Sequence, residues 1–162
     1  METPIPNFYF MGVQFIHLLA LSVWVGGIVM IGFIIAPTLF RKSASRQAAG
    51  QLMGEILWKF DKVILFCVAA LAATGIIKYR TWENLTPWNL TRYIAILVMA
   101  AAGVYSALVI SPQLRSWAAY QASKGAGAQA APPAADFDHL HQTSVRLMFV
   151  SLICGLIALL MA

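Results

Sequence analysis

The sequence predicts an all-α protein: an integral membrane four-helix bundle with N-terminus and C-terminus outside and short interfacial helices. Three observations carry that prediction. Charged residues make up only 10% of the 162 residues and hydrophobic ones 60%, where a soluble domain has about a quarter charged. Mean hydropathy is +0.76. Formal charge is also missing from four long stretches, residues 3–40, 63–77, 93–114 and 147–162.

A helix needs about 20 apolar residues to cross the hydrocarbon core, which predicts helices over about 8–38, 58–78, 91–111 and 140–161 of a single membrane domain, 1–162. Lys59, Lys62 and Arg146 fall inside or beside these spans, where long stems let the charges snorkel to the surface. Glu2 stands where a signal peptide would be basic, and the first apolar run is too long for one.

Basic residues orient the chain. Arg41, Lys42, Arg46, Lys59, Lys62, Arg115, Lys124 and Arg146 fall on one side, against Lys78, Arg80 and Arg92 on the other. The positive-inside rule then puts the loops after the first and third helices in the cytoplasm. The net charge of +5 is thereby assigned to topology, with no nucleic-acid partner.

The connections differ. Residues 42–57 carry Ala48, Leu52 and Ile56 at helical spacing opposite Arg46, Gln47 and Glu55, which predicts a short helix on the inner surface. The outer loop is compact, with Tyr79, Trp82, Trp88 and Tyr93 suited to an aromatic belt. Pro112 opens an amphipathic turn, and residues 121–135, rich in Ala, Gly and Pro, are expected as a flexible linker. Small residues (Gly26, Gly27 and Gly32 in the first helix, Ala69 and Ala73 in the second, Gly103 and Ala107 in the third) let helix backbones approach closely.

His17 is the first candidate site residue. Val13, His17, Ala20, Trp24, Gly27 and Ile31 share one helical face, expected to look into the bundle. An imidazole in hydrocarbon needs a partner. Counting inward from each outer helix end at about 1.5 Å per residue brings Cys67, Met99 and Cys154 near its depth. One imidazole, two thiols and a thioether suit a soft ion such as Cu(I), so His17, Cys67, Met99 and Cys154 form a candidate metal site. The alternative is His17 hydrogen-bonded to a Ser, Thr, Tyr or backbone carbonyl, with the cysteines as small apolar filler.

Haem is the other cofactor weighed. His17 and His141 lie near opposite faces, about 20 Å apart or more by helical rise, too far to clamp one iron. A haem held by His17 alone, with Met99 opposite, stays open. The segment DFDHLH, residues 136–141, reads as an N-cap of the fourth helix or as a surface metal site. Asp61 and Arg146 are expected to pair near the inner face, the alternative being Arg146 reaching lipid phosphate. No nucleophile with base and orienting group, and no phosphate-binding glycine loop, points to an enzyme.

GFIIAPTLFRKSASRQAAGQLMGEI, residues 32–56, and LHQTSVRLMF, residues 140–149, resemble the small four-helix family typified by transmembrane protein 205, with APTLFR and AGQLMG the most specific part. That resemblance implies a four-helix membrane protein without a catalytic residue to transfer. HLLALSVWVGG, residues 17–27, is similar to the first-helix motif of the copper-resistance protein D membrane domain and of HemJ-type haem-pathway proteins. This second resemblance implies a metal- or haem-related role for His17 alone. This chain is shorter than the copper proteins and lacks a Met- or His-rich outer segment.

Two function classes follow. One is a protein of a bacterial inner membrane handling a metal ion such as copper, or a small solute, around His17. The other is a structural or accessory subunit of a larger membrane complex, holding haem or lipid in the bundle. A four-helix bundle is narrow, which favours a homo-oligomer or a subunit over a lone channel.

Overall fold

The computed structural model describes residues 8–84, 86–123 and 137–162. They form six α-helices: α1 (Phe8–Val29), α2 (Ala36–Lys42), α3 (Arg46–Thr81), α4 (Pro87–Tyr105), α5 (Ser111–Ser123) and α6 (Phe137–Leu160). A π-helical segment, Met30–Ile35, joins α1 to α2, and a second, Ser106–Ile110, joins α4 to α5. Four resulting rods, Phe8–Lys42, Ala48–Thr81, Pro87–Trp117 and Phe137–Leu160, are long and apolar enough to cross a membrane. No strand occurs among the described residues.

Both π segments stop just short of a proline, Pro37 or Pro112. Proline offers no N–H to the preceding turn and its ring crowds the carbonyl four residues back. The chain accommodates that by widening the turn, as where the Ala36 N–H reaches back to the Ile31 carbonyl. Each rod therefore continues through its proline. The start predicted at Pro112 is a continuation of the third rod.

Lys42 ends α2, and the first turns of α3 take up residues 46–57 of the stretch 42–57 that the sequence predicts as a separate surface helix. Ser45 caps that helix, its side chain accepting from the Ala48 N–H. Nothing between there and Thr81 breaks the helix, so the amphipathic turns and the apolar span fuse. Of the expected linker, residues 124–135 lie outside the described residues.

The rods pack as a ring. α1 lies against α3 and α6, and α4 against α6 and α3, leaving the first and third rods diagonal. Trp24 crosses that diagonal, fully buried, to the backbone of Gly103. Around it Leu21, Ile28, Ile64, Cys67, Leu71, Met99 and Ala158 form the apolar centre. Gly27 meets the Phe60 ring and allows close approach as expected, whereas Gly26 faces open space; Gly155, which the sequence reading does not single out, meets Val25 and Met99. Phe66, Leu97, Leu108 and Ile153 point outward, as lipid-facing residues should.

Candidate functional site at the Glu83 end of the bundle

His17 is fully buried on α1, and its Nδ1 lies 2.8 Å from the Thr74 hydroxyl on α3. That hydroxyl has one proton, and the Ala70 carbonyl, 2.7 Å away, can only accept it. The arrangement that satisfies both contacts has His17 Nδ1 donate to Thr74. That arrangement corresponds to the Nδ1–H tautomer, which leaves a lone pair on Nε2, an atom with no protein partner.

Lys78 stands one turn beyond Thr74 on the same face of α3, almost wholly buried. Its Nζ pairs with Glu83 Oε1 at 3.0 Å. Arg92, on α4 and also buried, binds the other carboxylate oxygen, and the Tyr93 hydroxyl donates to that same oxygen at 2.5 Å. From Arg92, Nη1 reaches the Met161 carbonyl after α6 at 3.4 Å. Glu83 thus ties α3 to α4, and Arg92 carries the link on to the end of α6.

The loop that carries Glu83 is set locally. The Glu83 N–H bonds back to the Lys78 carbonyl at 3.0 Å, and the Thr86 side chain caps α4 by accepting from the Asn89 N–H. Trp82 packs between Tyr9 and Phe10 of α1. Burial would push the Glu83 carboxyl up, but hydrogen bonds from Tyr93 and Lys78 and the charges of Lys78 and Arg92 hold it below the usual carboxylate range. Among the described residues, two cations here face one carboxylate. The excess is positive.

Two further polar atoms in this layer lack partners: Arg92 Nε, a donor, and Gln14 Oε1, an acceptor one turn from His17 on α1. Charge kept inside a membrane span is costly, and it is retained where it pairs or meets a ligand. The arrangement can accept a proton donor at His17 Nε2 and hold an anion against the cations.

Of the four donors of the candidate metal site, Cys67, Met99 and Cys154 lie at about one level of the bundle and His17 stands apart from them. Cys67 is seven residues from Thr74, about 10 Å of helical rise. Met99 touches the level of Val25 and Gly155, so Met99 and neighbouring Cys154 lie about 12 Å beyond His17, eight residues along α1. Counting from residue 78 misplaced the second helix, because α3 runs on to Thr81 and brings Thr74 to the depth of His17. Among the described residues no three His, Cys, Asp or Glu side chains gather closely enough to hold a metal ion.

Asp61 is buried, but its side-chain partner is Ser111, with Arg115 nearby. Arg146 is exposed, and the ion pairs among the described residues both involve Glu83, so the expected Asp61–Arg146 pair does not form. α3 and α6 stand on the other diagonal of the ring, which keeps Arg146 from Asp61 and leaves it free to snorkel. At the start of α6, the His141 ring stacks on Phe137.

The family described as a domain of unknown function, DUF4149, matches residues 19–122. The chain belongs to that family. No curated protein and no solved structure matches the chain. The DUF4149 segment takes in Thr74, Lys78, Glu83, Arg92 and Tyr93, and it stops short of His17 and α6.

Proposed function

We propose that this DUF4149 protein handles a small oxyacid within the membrane, at a site around His17 near the outer face. The observation that supports it is the buried cationic excess of Lys78 and Arg92 over Glu83, next to a histidine whose Nε2 can only accept. The hydrogen anion of a polyprotic oxyacid, such as bicarbonate or hydrogen phosphate, carries both complements: an O–H for Nε2 and a charged oxygen for the guanidinium. Because four helices leave little room for a solute path, the protein acts as a homo-oligomer or as a subunit of a membrane complex. A bacterial inner membrane suits its compact loops.

Copper handling is the second reading. It is favoured by the Nδ1–H bond to Thr74, since metal-binding histidines commonly give their other N–H to a fixed acceptor, and by the likeness of residues 17–27 to the copper-resistance protein D motif. Against it stand the cations beside His17 and the distance to the thiols. The test is titration of the purified protein with bicarbonate and inorganic phosphate, followed by calorimetry, beside His17→Ala and Arg92→Gln. Saturable binding lost in both variants supports the oxyacid reading, and binding unchanged in His17→Ala sinks it. Stoichiometric copper, or a Soret band, lost in His17→Ala would replace it with the metal or haem reading.

A further inference from the structure

At the opposite end of the bundle, α3 and α5 leave a groove of 290 Å³ between them. Its rim carries Trp58, Lys62 and Arg115, with Lys62 Nζ 3.7 Å above the Trp58 ring and the Arg115 guanidinium 5.8 Å from it. Asp61 lines the groove too; it is 8% exposed, and its Oδ2 is buried without a partner. One turn farther towards the middle of the bundle the walls become Leu65, Ala107 and Leu108. The groove thus changes from charged to apolar along its length.

Depth decides what such a groove meets. Lys62 lies sixteen residues from Lys78 on one continuous helix, about 24 Å of rise, so these two charged layers bracket most of a hydrocarbon core about 30 Å thick. The rim therefore sits at headgroup level, where Trp and basic residues concentrate. Cations at the rim match a phosphate. A buried carboxylate oxygen without a donor matches an ammonium, which brings three N–H groups. The apolar continuation matches acyl chains.

We propose that this groove binds one phospholipid with a primary amine in its headgroup, the phosphate held by Lys62 and Arg115 and the amine by Asp61. The site is independent of the oxyacid site, standing on other residues at the other end of the bundle.

Native mass spectrometry of the purified chain, offered phosphatidylethanolamine, phosphatidylglycerol and phosphatidylcholine in equal amounts in detergent, tests this. One phosphatidylethanolamine per chain should be retained about tenfold over the other two, the effect of one charge-assisted hydrogen bond. Asp61→Asn should erase the preference for the amine lipid over phosphatidylglycerol, and Arg115→Gln and Lys62→Gln should weaken retention of all three. Millimolar glycerophosphoethanolamine should leave the bound lipid in place. Equal retention of phosphatidylglycerol, or an amine preference surviving Asp61→Asn in a variant that melts like wild type, overturns the proposal. Saturable binding of glycerophosphoethanolamine with no lipid retained would make the ligand a soluble phosphate ester and overturn the lipid assignment. Should Asp61→Asn fail to fold, Lys62→Gln and Arg115→Gln with full retention would overturn it equally.

Discussion

His17 donates its Nδ1 proton to Thr74 across 2.8 Å, and Thr74 passes its own proton to the Ala70 carbonyl. The relay joins the first two rods by a bond that hydrocarbon cannot replace. Thr74→Val should therefore cost about 1 kcal/mol, the usual size of such bonds between membrane helices, whereas Thr74→Ser should be close to wild type. Reversible unfolding in mixed micelles measures both, and a stable Thr74→Val protein would show that the relay contributes nothing.

Glu83 holds two buried cations, so the order of substitutions is informative. Glu83→Gln leaves Lys78 and Arg92 without a counter-charge and should cost about 3 kcal/mol. Lys78→Met removes one cation, replaces it with a chain of similar shape, and leaves Arg92 paired. It should cost less than Glu83→Gln in the same unfolding assay.

The same carboxylate fixes a pH dependence. Its folded pKa lies below the unfolded value, so the stability it confers is present above the ordinary carboxylate range and is lost as pH falls through the folded pKa. The gap in melting temperature between wild type and Glu83→Gln should be constant near neutral pH and close in acid. A gap that persisted there would assign the stability to packing.

Glycine substitutions separate contact from propensity. A Cβ at Gly103 would run into the Trp24 ring and lie 3.0 Å from Ile64, and at Gly12 it would meet nothing. Gly103→Ala should destabilise by about 1–3 kcal/mol. Gly12→Ala should be neutral or stabilising by up to about 1 kcal/mol. The pair of melting curves checks whether Trp24 spans the bundle as described.

Much of this fold was legible in the sequence because hydrocarbon imposes a simple rule, about 20 residues without charge. Of the predicted face, Val13, His17, Ala20, Trp24 and Ile31 are buried as their spacing requires, and Gly27 is half-buried. The charged cluster was not legible. Lys78 and Arg92 stand at the ends of apolar runs, where basic residues usually snorkel, and Glu83 stands in a loop. The available signal was their arrangement: one loop carboxylate with a basic residue on each flanking helix, joined by a connection too short to let them part. Thr74 was hidden by the helix end taken three residues early.

The two widened turns before Pro37 and Pro112 have a consequence for chain length. A π turn absorbs an extra residue without passing its rotation to the helix before it. Losing one residue within Met30–Ile35 would restore α geometry locally and leave α1 undisturbed. Losing one residue between His17 and Met30 would turn the imidazole about 100° relative to everything that follows. The prolines thus mark the places where these rods can change length while the ring that faces Thr74 keeps its bearing.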